Sequence, residues 1–292
     1  MNVGACIYCG DTQSRLTREH ILPRGLGGNS APHGYNDALV LQNATCDRCA
    51  RITSRIETDC LRQMNQARAR LGLKRKDRSE ATMKVAVDLS DGTSEQREID
   101  SDEILGPVVL PCFYEAGALT NKPPADVVPC DYHIIVVASA RGPILQDVAR
   151  VGVDLQCDSK VFAQMFAKIA LGLAVVKFGL NGFESFIRNF ILKNQNEYGH
   201  WVGGFAGTAR AAMASPVFHR LHLQTKQFGA GTFIVVEIQL FAEYGGPTNY
   251  VVVGRPRELA YTAQQSLAAD GAIACFSSNF FPSAWMLIAR RS

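Results

Sequence analysis

Apolar residues return every third or fourth position at Cys49, Ile52, Ile56, Cys60 and Met64. That is the period of one helix face, so "ARITSRIETDCLRQMNQARARLG" predicts a helix following Cys49, with Thr45 placed as its N-cap. Just upstream, "ALVLQN" (Ala38–Asn43) reads as a short strand, and another strand ends at Glu19-His20-Ile21 before the Gly-rich "PRGLGG". From about residue 83 the pattern changes. "MKVAVDL" and "YHIIVVAS" read as strands, the first followed by an acidic, turn-rich "SDGTSEQREIDSDE". A long helix is predicted from Ser159 to Phe178 and a second at "GFESFIRNFILKN". "RLHLQTKQ", "GTFIVVEIQLFAEY" and "NYVVVGR" then alternate as antiparallel strands, with "SAWMLIARR" as a last one, and "GHWVGGFAGTAR" reads as a loop. Strands and helices segregate along the chain, which predicts an α+β fold. Residues 1–65 read as a small finger, 66–82 as a basic helix end and linker, and 83–292 as a larger mixed α+β domain.

The window "VFAQMFAKIALGLAVVKFGL" (Val161–Leu180) is long enough to span a bilayer, but it carries Gln164, Lys168 and Lys177. Charges there are costly in lipid, so a buried amphipathic helix is expected, with no membrane contact. No signal-peptide pattern opens the chain, and a cytoplasmic protein with reduced thiols is expected. Net charge is only +3 over 292 residues, yet it is unevenly placed. Residues 1–80 hold thirteen Lys/Arg against eight Asp/Glu, whereas the remainder holds seventeen against nineteen. Any contact with a polyanion is therefore expected at the N-terminal end.

Nine cysteines sharpen that expectation. Cys6-Ile-Tyr-Cys9 and Cys46-Asp-Arg-Cys49 are two CxxC pairs separated by the 36 residues 10–45. Two residues between thiolates turn both sulfurs toward one ion, and two such knuckles complete a closed, structural four-sulfur Zn²⁺ shell. A redox CxxC would leave the second pair unexplained. Cys60, Cys112, Cys130, Cys157 and Cys275 are scattered among apolar residues and read as buried, inert thiols.

"CIYCG", "LTREHILPRGLGGN" and "ALVLQNATCDRC", in that order, resemble the zinc-bearing HNH endonucleases with their ββα-metal finger. The resemblance covers about the first 60 residues and rests on both CxxC pairs, the EHI-x-P core and the glycine turn behind it. It implies phosphodiester hydrolysis in DNA, with His20 as general base and Glu19 as ligand of a catalytic Mg²⁺ or Mn²⁺. An imidazole titrates near neutrality, as a base requires, and a hard divalent ion favours oxygen ligands. The Zn²⁺ would only hold the finger together.

The family's last metal ligand directly follows the second CxxC, and this chain has Ala50 there. The family's middle Asn corresponds to Ala38, with Asn36 and Asp37 just upstream. Substitute oxygens are Asn43, ranked first, then Thr53, Ser54 and Glu57. Arg18 and Arg24 beside the Glu-His pair, and Arg48, Arg51 and Arg55 along the helix, are the expected phosphate contacts, continued by the basic Arg68–Glu80 stretch. Arg15 belongs with them, while His33 reads as a loop residue. The residues do not separate DNA from RNA, and a double-strand break would need a homodimer or two visits. Residues 83–292 show no nucleophile–base pair or metal cluster, and by analogy would target, sense a regulatory ligand or partner protein, or dimerise, in a setting of bacterial defence. Two other readings stay open: a catalytically inactive nucleic-acid-binding zinc finger, or a sensor using the finger as its output.

Overall fold

The computed structural model describes residues 1–27, 40–70, 73, 83–99, 106–123, 131–137, 148–152, 157–193, 197–204, 218–229, 231–257 and 272–275. Ala38, His33, most of the Arg68–Glu80 stretch and "SAWMLIARR" lie outside them. The chain is mixed α+β. Strand β1 (Leu16–His20) pairs antiparallel with β2 (Val40–Cys46), and helix α1 (Asp47–Gln63) follows directly. A short α2 (Asn65–Arg70) leads to three strands, β3 (Met83–Leu89), β4 (Ser94–Ile99) and β5 (Gly106–Cys112). Next come α3 (Gly117–Thr120), β6 (Asp131–Val137), β7 (Val148–Gly152) and the 20-residue α4 (Ser159–Phe178). The remainder is β8 (Phe183–Ser185), α5 (Arg188–Lys193), α6 (Tyr198–Trp201), β9 (Val202–Gly204), β10 (Arg220–Phe228), β11 (Gly231–Gln239), β12 (Thr248–Pro256) and β13 (Ala272–Cys275).

The largest sheet has six strands, in the order β13-β10-β11-β12-β8, with β9 also on β12. Its alternating residues face two layers. Ile234, Val236, Ile238, Val251 and Val253 join the main core, while Phe233, Val235, Tyr250 and Val252 pack on the opposite side around Ala116. Helix α4 lies against the first face. It is buried almost continuously from Phe162 to Val175, all round rather than along one stripe. The expected amphipathic helix is therefore a fully enclosed one, wrapped by α1, α5 and the sheet. It is long and apolar enough to cross a membrane, with a mean hydropathy of 1.7 over its most apolar window, but 78% of that window is buried inside the fold.

The first 65 residues and the larger part share one buried cluster. Cys6, Ile21, Leu22, Leu26, Leu41, Ile56 and Cys60 belong to the same core as Phe166, Ile169, Ala170 and Leu173 of α4. Gly172 is what allows the approach, because a Cβ there would stand 2.9 Å from Ile21. Gly25 is equally constrained. A Cβ on it would meet Arg68 at 2.6 Å and Leu61 at 2.7 Å, where Arg68 Nε donates to the Gly25 carbonyl at 2.7 Å.

A second clasp involves His219, which is fully buried. The Phe241 N–H donates to its Nδ1 at 3.1 Å, so Nε2 carries the proton and donates to the Leu26 carbonyl at 3.0 Å. This geometry requires a neutral ring, and burial lowers its pKa from 6.5 to about 4. The unfolded chain then binds a proton that the folded one refuses, so this group's contribution is intact above pH 6.5 and is lost as pH falls toward 4. The expected loss is about 3 kcal/mol. Denaturant unfolding between pH 8 and 4 checks it: the His219→Gln curve should be shallower by one proton, about 1.4 kcal/mol per pH unit.

Several elements differ from their sequence patterns. Thr45 is not the N-cap of α1, because β2 continues to Cys46, which takes that position. The acidic stretch after β3 contains a real strand, β4, whose Glu95 and Arg97 point polar groups outward and so hide it from an apolar pattern. In the predicted second helix, Phe183–Ser185 instead pairs with β12 and only Arg188–Lys193 is helical. The loop at "GHWVGG" is a turn of helix followed by β9, whose glycines bring its backbone against Phe113 and Ala116. Strand β11 stops at Gln239, before Phe241 enters a left-handed turn with φ of 52°.

Candidate metal centre and the residues beside it

The four cysteines predicted to share an ion converge. Cys6 and Cys9 lie on a tight loop closed by Gly10 N–H to Cys6 carbonyl at 2.8 Å and Cys6 N–H to Asp11 carbonyl at 2.8 Å. Ile7 N–H bonds the Ala44 carbonyl at 2.8 Å, which sets this loop against the end of β2. There Cys46 closes the strand and Cys49 stands in the first turn of α1. All four sulfurs lie within 4.8 Å of one another, and Cys9 and Cys46 Sγ are 3.7 Å apart. A tetrahedral zinc with Zn–S bonds of about 2.3 Å requires sulfur separations of about 3.8 Å. The cage therefore fits a zinc ion in both donor type and size. Burial pushes the Cys6 and Cys49 thiols up, and a cation would supply the charge that holds them as thiolates.

The cage fixes the start of α1 and the end of β2, and β2 in turn fixes β1. Their register places His20 opposite Val40 and Glu19 opposite Leu41, with a bulge between Thr17 and Glu19. His20, the last residue of β1, is half-buried. Burial, then Arg24 and Lys168, lowers its pKa below the ordinary value against an opposing pull from Glu19. Its ring is thus neutral at neutral pH.

Glu19 faces inward and is 6% exposed. Its Oε2 accepts from the Thr45 hydroxyl at 2.7 Å, and its Oε1 pairs with Lys168 Nζ at 2.6 Å. The same ammonium pairs with Glu57 Oε1 at 2.7 Å and donates to the carbonyl of His20. Lys168 is 1% exposed, in the middle of α4. Burial works against its charge, but the two carboxylates reverse the effect and hold its pKa above the ordinary value. Tyr8, between the first two cysteines, has a buried hydroxyl beside this group, and burial followed by the Glu19 charge raises its pKa well above normal.

The candidate substitutes for the ligand missing at Ala50 separate clearly. Asn43, ranked first, adopts a φ of 49° on the exposed side, and its amide donates to Asn2 Oδ1 at 3.1 Å. The Thr53 hydroxyl is buried and spent on the Cys49 and Ala50 carbonyls. Ser54 is exposed on α1. Glu57 is the candidate that reaches Glu19's partner. Its distance from position 50, about 10 Å along the helix, is beside the point because the Glu19 carboxylate lies deep under the hairpin.

Arg18, Arg24, Arg48, Arg51 and Arg55 are all exposed. Arg51, Arg55 and Arg62 border one shallow depression on the outer face of α1 together with Thr17, Asp47, Ser54, Thr58 and Asp59. Asp59 pairs with Arg55 at 3.7 Å and with Arg62 at 3.6 Å, which tempers this basic row. Lys168, Thr45, Arg188 and His219 are the residues that sequence reasoning left out of the site. A lysine in the middle of an apolar helix was the available signal, because a buried ammonium needs carboxylate partners. No protein-family model, curated protein or solved structure matches the chain.

Proposed function

We propose that the chain acts on nucleic acid through its first 65 residues, as an HNH-type endonuclease that hydrolyses phosphodiester bonds with His20 as general base. One observation carries this reading: a four-sulfur cage brackets a β-hairpin and helix so that β1 ends at a half-exposed histidine between exposed Arg18 and Arg24. Arginines neutralise backbone phosphates, and a neutral imidazole can accept the proton of an attacking water. A Mg²⁺ or Mn²⁺ ion, when bound, would stabilise charge on the scissile phosphate. The Glu19–Glu57 pair is filled by the Lys168 ammonium and offers such an ion no open place in this arrangement.

That last observation favours a second reading, a zinc-held module that binds nucleic acid without cutting it. Supercoiled plasmid incubated with purified protein and Mg²⁺ or Mn²⁺ separates the two. The hydrolase reading expects nicking, reduced by about 10²–10⁴-fold in His20→Ala, the range a general base supplies. Binding to DNA with a steep salt dependence, but no cleavage with either ion, would leave only the second.

A further inference from the structure

We propose that Arg188 is the cationic partner of the zinc centre, its guanidinium donating hydrogen bonds to the cage thiolates on the side of Cys6 and Cys9. This inference rests on metal occupancy of the cage and is independent of the hydrolase reading.

Arg188 opens α5, which packs against α1. Its neighbours Ile187, Phe190 and Ile191 belong to the same buried cluster as Cys6, Cys46 and Cys49, so the backbone carries Arg188 to the flank of the cage. Two of its nitrogens, Nε and Nη2, are buried without a hydrogen-bond partner among the described residues. Buried guanidinium N–H groups left unsatisfied are costly, and a guanidinium normally sits against an anion. The groups that favour its charge are Cys6 and Cys9, whereas burial and Arg257 oppose it. Four thiolates around one Zn²⁺ carry a net charge of −2, so the loaded cage needs a nearby cation as much as Arg188 needs an anion. Each completes the other. Donors of this kind orient metal ligands and stabilise them as thiolates.

Wild type, Arg188→Gln and Arg188→Lys, each loaded with one equivalent of zinc, are challenged with excess chromogenic chelator. The Gln variant is expected to release zinc about 10–100-fold faster than wild type, with Lys between them because it keeps the charge but not the forked donors. Cobalt supplies a second readout. The thiolate-to-metal charge-transfer band should shift in Arg188→Gln while the tetrahedral visible bands persist. Equal release rates with an unshifted band overturn the proposal. If Arg188→Gln does not fold, Arg188→Lys alone decides by the same criterion: several-fold faster release supports the role, and a wild-type rate overturns it. A wild-type protein that takes up no zinc overturns both the cage and this role.

Discussion

Replacing Lys168 with methionine should lower the unfolding free energy by about 3–5 kcal/mol, the range expected when one partner of a buried ion pair is removed. Methionine preserves most of the volume and suits the helix, so packing and propensity change little. What remains is charge. Glu19 is 6% exposed and would keep only the Thr45 hydroxyl, while Glu57 would stand nearby with no cation between them. The carbonyl of His20 would lose its donor as well. A charge origin makes a sharper demand than a mere loss of stability. Adding Glu57→Gln to Lys168→Met should restore part of the loss, whereas Glu57→Gln alone should cost stability. Denaturant midpoints of the three variants measure this. Additive losses would show that the cluster is not an electrostatic unit.

The same cluster explains why the larger part of the chain bears on the finger. An ammonium from α4 reaches under the hairpin and holds both the side chain of Glu19 and the backbone of His20. The finger's most distinctive dipeptide is thus positioned by a residue about 150 positions downstream. Any change that lets α4 shift would alter His20's setting and the availability of Glu19 together.

This connection shows where the sequence was legible and where it was not. The cage followed from spacing alone, because two CxxC pairs constrain each other whatever lies between them. Helix α4 was delimited from Ser159 to Phe178, since a long apolar run bounded by Asp158 and Gly179 leaves little choice. The side-chain partners were another matter. Whether Glu19 points outward to a metal or inward to a lysine depends on burial on both sides of the hairpin, and strand alternation does not say which side is covered. Glu57 was ranked below Asn43 on reach along one helix, a local measure that missed the depth of the Glu19 carboxylate. Strands β4 and β9 escaped notice because one is polar and exposed and the other is largely glycine. Backbone pairing rather than apolar side chains defines both.

Removing the metal should have the largest effect of all. Structural zinc contributes about 10–16 kcal/mol of apparent binding free energy in isolated fingers at neutral pH, and that energy is folding energy. In an autonomous finger the loss would be confined to the finger. Here Ile21, Leu22 and Leu26 are fully buried in the core that includes α4, His219 is bonded to Leu26, and Asp158 N–H donates to Gln63 of α1 at 2.6 Å. Unfolding residues 1–65 would uncover one side of α4, an almost wholly apolar helix, and expose a large apolar patch to water. Chelation, or Cys49→Ser, should therefore release one zinc per chain and lower the thermal stability of the whole molecule, with dye binding to newly exposed apolar surface and a tendency to aggregate. Metal analysis and thermal unfolding with and without chelator test this directly. If the chelated protein loses structure only in residues 1–65 by hydrogen exchange while α4 stays protected, the shared core does not couple the two parts. If it loses nothing, the four sulfurs are not a structural zinc site.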